Sequence, residues 1–254
     1  MPENEGSAED RELNPSLPAA GRLWFEWWTL AVFLLMYFLL PGILAAAAWR
    51  GWIARGVWPW GAIPIQLAGL ALLLWSARGM FGSWPMVWQA AGLVRWRWVW
   101  LGQGIGLSAG IALLAGAVTL GWRMAMHRLG VDFELPGTLR FFKEGSNSQI
   151  AAFALMAIGL APVFEELAFR NALFGLLRRV TGFWPAALAT GGLFALSHGS
   201  GLQFPGLVVM AVCWQWVNRR SGSLWSSILL HFFNNFFAVA ILWVAVYFKI
   251  AVFE

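Results

Sequence analysis

Residues 150–177 of the chain read IAAFALMAIGLAPVFEELAFRNALFGLL, a long and almost wholly apolar run. It is longer than the roughly 20 apolar residues that carry a helix across a bilayer. Three ionisable side chains, Glu165, Glu166 and Arg170, lie well inside it. Such groups cost about 2.5–3.5 kcal/mol within a span even on insertion scales, so they mark function by default. The stretch therefore predicts a membrane-spanning helix that carries a functional site.

The composition of the whole chain agrees with a membrane protein. Of 254 residues, 60% are hydrophobic and 11% are charged, whereas soluble domains have roughly 45–50% and 25%. A soluble domain of this size could not bury so much apolar surface, and a disordered chain would be poor in apolar residues. We predict an all-α fold, a polytopic transmembrane helical bundle.

Six further apolar runs resemble membrane helices. They cover residues 28–48, 57–77 and 98–122 before the central stretch, and residues 184–198, 204–217 and 224–248 after it. This count predicts about seven membrane spans. Because the apolar runs of the second half lie close together, eight spans are the alternative. We expect a surface helix in the mixed loop at residues 123–149.

Three regions follow from these runs. Residues 1–21 form a polar, acidic tail, and residues 22–149 hold the N-terminal transmembrane helices and the loop. Residues 150–254 form the core region, which holds the later apolar runs and the ionisable residues within them. A secretory signal would begin with positive charge, so we expect the tail to be cytoplasmic and uncleaved. The prediction is an integral, multi-pass protein of the cell or inner membrane.

The basic residues are scattered between the apolar runs, although the net charge is +5. Arginine pairs at 178–179 and 219–220 stand against a lone Lys249 on the opposite side. Since Lys and Arg collect on cytoplasmic loops, this asymmetry predicts a cytoplasmic N-terminus. We expect the lipid bilayer as a partner and no nucleic acid. The single Cys excludes an internal disulfide and a multi-Cys metal site.

The ionisable residues of the central stretch differ in their pairing. Glu166 and Arg170 are four residues apart on one helix face, in the order that favours an ion pair. Glu165 points about 100° away and has no such partner in the sequence. We expect Arg170 to neutralise Glu166 and Glu165 to act as a general base. The alternative is that this helix end reaches the headgroups and that both acids are hydrated.

Two further residue pairs repeat the four-residue spacing on later helices. Phe194 and His198 end the fifth apolar run, and His231 and Asn235 lie in the seventh. We expect both His, Glu165 and Asn235 to converge on one site from three spans.

Two kinds of chemistry fit this set of side chains. A Glu beside a His can hold and deprotonate a water, and a second His with an Asn can donate hydrogen bonds to an oxyanion. Together these groups hydrolyse an amide without a covalent intermediate. Glu, His and His with an open position also match the ligands of catalytic zinc. Residue types alone do not separate the two mechanisms.

Glu-Glu-x3-Arg, Phe-x3-His and His-x3-Asn follow one another on successive helices. Each motif is weak alone, but in order and within about 70 residues they are specific. Over residues 150–248 the chain resembles the CAAX-processing and bacteriocin-processing (CPBP, or Abi) family of intramembrane proteases. The matching residues are Glu165, Glu166, Arg170, Phe194, His198, His231 and Asn235.

The resemblance implies an all-helical bundle whose site opens to the membrane and to the cytoplasmic side. It implies hydrolysis of a peptide bond near the C-terminus of a membrane-anchored protein or peptide. Prenylated CAAX tails, bacterial leader peptides and C-terminal sorting tails all fit. By the family's roles, Glu165 and His198 act on the water, and His231 and Asn235 bind the oxyanion.

The other matched residues have supporting roles by the same resemblance. Glu166 and Arg170 form an orienting ion pair, and Phe194 packs beside His198. We favour a glutamic-type mechanism without a cofactor, because Asn235 is a poor zinc ligand and a good oxyanion donor. A zinc-dependent version of the same protease is the alternative.

Two hypotheses come from other functional classes. A non-enzymatic immunity or scaffold protein would have lost a catalytic group, and none is missing here. A proton-coupled transporter would also use Glu and His. Such transporters usually have repeated halves, and the uneven halves of this chain argue against that class.

Overall fold

The structure, a computed structural model, describes residues 19–52, 57–94, 96–134 and 137–248. Helices and short connections make up these ranges, and no strand occurs in them. The all-α prediction is therefore confirmed for this part of the chain. Most of the acidic tail predicted at residues 1–21 lies outside the described residues, as does Lys249. The cytoplasmic position of the N-terminus stays a prediction.

The helices of the described ranges have the following bounds. In chain order they are α1 (Ala19–Trp49), α2 (Val57–Phe81), α3 (Trp84–Ala90), α4 (Val99–Arg128), α5 (Gly137–Glu144), α6 (Asn147–Thr181), α7 (Phe183–Ser197), α8 (Phe204–Ser221) and α9 (Leu224–Tyr247). The helix expected in the loop at residues 123–149 is α5, whereas α3 was not predicted.

Five of these helices, α1, α2, α4, α6 and α9, are long and apolar enough to cross a membrane. This number supports an integral, multi-pass membrane protein, but the predicted count of seven or eight spans is not confirmed. The difference lies in α7 and α8. The 15 residues of α7 rise about 22 Å, less than the roughly 30 Å of a hydrocarbon core. The last turn of α8 carries Arg219 and Arg220.

The central helix is α6, which contacts α1, α2, α7 and α9. It begins three residues before the predicted start at Ile150, because Ser146 caps it. The Ser146 hydroxyl accepts a hydrogen bond from the backbone N–H of Gln149, and the Gln149 side chain accepts one from the N–H of Ser146. This reciprocal capping box satisfies two donors that a helix start leaves open.

Within α6, α-helical and π-helical turns alternate, which the sequence pattern did not predict. The π-helical segments are Met156–Leu160 and Glu166–Leu173, on either side of the α-helical segment Ala161–Glu165. Pro162 lies in that short segment and has no N–H to donate to the preceding turn. A carbonyl in that turn therefore lacks its helical partner.

The hydrophobic core of the bundle surrounds this part of α6. Phe164, Leu167 and Phe169 are buried there with Phe194 of α7 and Trp214 of α8. The ionisable residues of α6 are therefore enclosed by apolar side chains from several helices.

Candidate active site

Both glutamates of α6 are buried. The exposed fraction is 5% for Glu165 and 0% for Glu166, so the alternative in which both acids are hydrated does not fit the structure. Glu166 Oε2 lies 3.3 Å from Nε of Arg170, which is itself buried. The predicted ion pair is therefore present, within the second π-helical segment.

Aromatic rings enclose the guanidinium group of Arg170. Its Cζ lies 4.2 Å from the ring centroid of Phe194 and 5.2 Å from that of Trp214. Nη1 and Nη2 have no hydrogen-bond partner among the described residues. The ring faces therefore supply the electrostatic contact that holds this buried cation.

His231 of α9 lies between the two carboxylates. Its Nδ1 is 3.0 Å from Glu166 Oε1, and its Nε2 is 3.7 Å from Glu165 Oε2. The buried ring also stacks on Trp214, with 4.5 Å between the centroids. The contact of Nδ1 with Glu166 orients the ring and directs Nε2 towards Glu165.

A residue outside the predicted set contacts Glu165. The hydroxyl of Tyr37, in α1, donates a hydrogen bond to Glu165 Oε1. In the described part of the chain, Oε2 has no hydrogen-bond partner and faces His231 Nε2. Sequence reasoning missed Tyr37, although a signal existed, because it is one of two Tyr in the chain and lies in an apolar run.

Asn235 is held by the backbone of α6. Its Nδ2 donates a hydrogen bond to the carbonyl of Ala157 at 2.8 Å. The N–H of Ala161 bonds to the carbonyl of Met156, so the same register would pair Ala157 with Pro162. Because proline lacks an N–H, Asn235 satisfies the acceptor that the helix leaves open.

His198 lies apart from the carboxylates. It follows the last residue of α7, where Gly199 has a φ of 63° and ends the helix, and its side chain is exposed. Its Nδ1 is 2.9 Å from the carbonyl oxygen of Phe194. Among the described residues, no hydrogen bond or ion pair joins it to Glu165. The predicted neighbour Phe194 does contact it, with 4.6 Å between the ring centroids.

The structure therefore brings together most of the predicted site. Around His231 it assembles Glu165, Glu166, Arg170 and Phe194. Asn235 lies one helical turn beyond His231, and His198 contacts this set through the ring of Phe194.

A zinc site would need a third ligand beside Glu165 and His231. The predicted candidate is His198, and among the described residues no hydrogen bond or ion pair joins it to either of them. Within the described ranges, no group of three or more His, Cys, Asp or Glu side chains is arranged to hold a metal ion.

Comparison with known proteins places this site in a family context. Residues 147–237 match the family model described as type II CAAX prenyl endopeptidase Rce1-like. The match covers a little over a third of the chain and contains every predicted site residue. It confirms the family resemblance seen in the motifs. No curated protein and no solved structure matches the chain.

Proposed function

From the similarity of residues 147–237 to the type II CAAX prenyl endopeptidases, we propose that the chain is an intramembrane endopeptidase. It hydrolyses a peptide bond near the C-terminus of a membrane-anchored protein or peptide. The observation that carries the proposal is Glu165 Oε2, a buried carboxylate oxygen without a hydrogen-bond partner in the described residues and 3.7 Å from His231 Nε2. A carboxylate oxygen without a partner can accept a hydrogen bond, and then a proton, from a bound water.

In the proposed reaction, Glu165 is the general base. It takes a proton from the bound water as the water oxygen forms a bond to the scissile carbonyl carbon. When the carbon–nitrogen bond breaks, the same proton passes to the leaving amine. The products are a new carboxyl end and a new amino end, so one water molecule is consumed for each bond cut.

The developing oxyanion needs donors close to the carbonyl. His231 and Asn235 supply them in the proposal, because both are held in place by other groups. Glu166 orients the His231 ring through Nδ1, and the Ala157 carbonyl holds the Asn235 amide. Donors that are held before the reaction stabilise the transition state without reorganising.

His198 is proposed to bind the attacking water together with Glu165. Its Nδ1 is engaged with the Phe194 carbonyl, so Nε2 is the nitrogen that can accept a hydrogen bond from water. In this proposal, substrate and water reach the site from the exposed end of α7.

The experiment that tests the function uses the full chain in liposomes with a prenylated CAAX peptide. Cleavage by the parent chain and none by Glu165→Gln is expected, with Glu134→Gln as the matched control on an exposed loop. Activity retained by Glu165→Gln contradicts the proposal. Comparative mapping of protein C-termini in cells that carry either chain extends the test to leader peptides and sorting tails.

The same assay separates the alternatives. If cells with the parent chain and cells with Glu165→Gln had the same protein C-termini, the immunity or scaffold hypothesis would be favoured. We propose that no metal cofactor takes part, and a strong zinc chelator is therefore expected to leave cleavage unchanged. Loss of cleavage that returns on addition of zinc would favour the metal-dependent version.

A further inference from the structure

Helix α1 contacts α6 over much of its length, although the family match begins only at residue 147. Three contacts run in opposite order along the two helices, pairing Glu26 with Arg179, Phe33 with Phe169, and Tyr37 with Glu165. Positions ascend on α1 as they descend on α6, so the helices are antiparallel. Helix α1 therefore forms one side of the candidate site.

The first of these contacts anchors α1. Glu26 is 1% exposed, and it forms a bidentate pair with Arg179, with Oε2–Nη1 at 2.5 Å and Oε1–Nη2 at 2.9 Å. Arg22 adds a contact of 3.3 Å to Oε1. Bidentate pairs restrict geometry as well as adding energy, so this contact sets the position of α1 along α6.

The second contact supports the ring of Tyr37. The ring of Phe33 stacks on it with 4.8 Å between centroids, and the same Phe33 ring meets Phe169 edge-on at 5.5 Å. Tyr37 itself lies in the π-helical segment Leu34–Leu39 of α1. Such segments widen a helix locally and are frequent at functional sites. Ring packing therefore fixes the position of the Tyr37 phenol independently of its hydrogen bond to Glu165.

We propose that Tyr37 is a positioning residue for Glu165, an inference that rests on the proposed function. Its hydroxyl engages Oε1, which leaves Oε2 as the oxygen that faces His231 Nε2. The last torsion of a Glu side chain is broad, so a carboxylate with neither oxygen held samples many orientations. The phenol removes that freedom and aims one oxygen at the attacking water.

The test compares Tyr37→Phe with Tyr247→Phe, which removes the hydroxyl from the other Tyr of the chain. Tyr247 is 66% exposed at the end of α9. Tyr37→Phe is expected to lower kcat roughly 10- to 100-fold, the loss of one hydrogen bond to a charged group. KM should stay at the parent value, and Tyr247→Phe should change neither kcat nor KM.

A further variant separates the hydroxyl from the ring. A fluorinated tyrosine at position 37 keeps the O–H donor, so it is expected to restore most of the activity that Tyr37→Phe loses. A merely structural tyrosine would lower the melting temperature, or raise KM, while kcat of the folded protein stays unchanged. Either pattern overturns the positioning role.

Failure of this inference is distinguishable from failure of the proposed function. If Glu165→Gln abolishes cleavage while Tyr37→Phe retains the parent kcat, the positioning role is wrong and the protease function stands. If the parent chain cleaves no substrate, the contact is tested by cross-linking Tyr37→Cys to Glu165→Cys with a short bis-maleimide in the Cys213→Ala chain.

The expected result of that experiment is a cross-link within one chain. The matched pair Tyr247→Cys and Glu165→Cys should give none, because position 247 lies about 24 Å along α9 from His231. Absence of the Tyr37 cross-link, or equal cross-linking of both pairs, overturns the inference.

Discussion

Two buried glutamates lie at opposite ends of the contact between α1 and α6, and they are used differently. Glu26 is 1% exposed and Glu165 is 5% exposed. Both oxygens of Glu26 accept hydrogen bonds from Arg179. Glu165 has Tyr37 on Oε1, while Oε2 has no hydrogen-bond partner among the described residues.

The comparison teaches that burial alone does not identify a reactive carboxylate. A buried acid whose acceptors are all used by cations holds two helices together. An acid that has one oxygen without a hydrogen-bond partner, beside an imidazole, keeps an oxygen that can take a proton. What separates the two regions is therefore the unused hydrogen-bonding capacity at Glu165.

The largest expected effect is on activity, from Glu165→Gln. Removing the general base should lower kcat/KM by about 10²–10⁴-fold, because an amide oxygen does not take the proton from water. The melting temperature in detergent should change little, since the amide keeps the shape of the side chain and can still accept from Tyr37. Peptide cleavage and thermal unfolding measure the two quantities. Similar activity in Glu165→Gln and Glu134→Gln would contradict the view that Glu165, unlike Glu26, takes part in the chemistry.

The largest expected effect on stability comes from Arg170→Leu. It leaves Glu166 buried without its cation, which costs about 3–5 kcal/mol of the free energy of unfolding. Arg123→Leu, on the exposed side of α4, is the matched control and should stay near the parent value. Unfolding in mixed micelles measures both variants, and equal effects would contradict the pairing. The double variant with Glu166→Leu should recover part of the loss.

At the anchor, Glu26→Gln should show the opposite pattern to Glu165→Gln. One amide NH₂ would face the guanidinium of Arg179, so the free energy of unfolding should fall by about 1–2 kcal/mol. The loss is limited because Arg179 is 36% exposed and water can replace part of the contact. The kcat of the folded fraction should be unchanged. A large loss of kcat without a loss of stability would place Glu26 in the chemistry instead.

The smallest effect is expected from Gly175→Ala in α6. The added methyl carbon would lie 2.6 Å from Glu26 Oε1, an atom that Arg179 holds in place. We expect a loss of about 1 kcal/mol, partly offset by the higher helix propensity of Ala. Gly192→Ala in α7 is the control, because nothing lies within 4 Å of its methyl carbon. Equal free energies of unfolding for Gly175→Ala and Gly192→Ala would contradict the close packing of Gly175 against Glu26.

Much of the fold could be predicted from the apolar runs. The predicted run at residues 57–77 corresponds to α2 and the run at 224–248 to α9, with similar limits. Helix α4 extends to Arg128, six residues past the predicted run that ends at Trp122. Apolar content does not mark where a polar helix end stops, which is why such limits were less accurate. The predicted count of spans is not confirmed for a related reason, since a short apolar helix and a full span have similar compositions.

In the candidate site, the sequence predicted contacts within one helix but not contacts between helices. Four-residue spacing correctly predicted the contact of Glu166 with Arg170, because both lie on one helix. It could not predict that His231 contacts both glutamates, since that depends on how α9 packs on α6. The contact of Asn235 with Ala157 depends in turn on the carbonyl that Pro162 leaves open.

By itself, the sequence determined the membrane class, the all-helical fold and the rare polar residues on which a site could be built. Composition and helical periodicity suffice for these, because both act within one segment of chain. The packing of the helices determines that Oε2 of Glu165 has no hydrogen-bond partner among the described residues and that Tyr37 bonds to Oε1. Those facts depend on contacts between helices far apart in the chain, which no local pattern encodes.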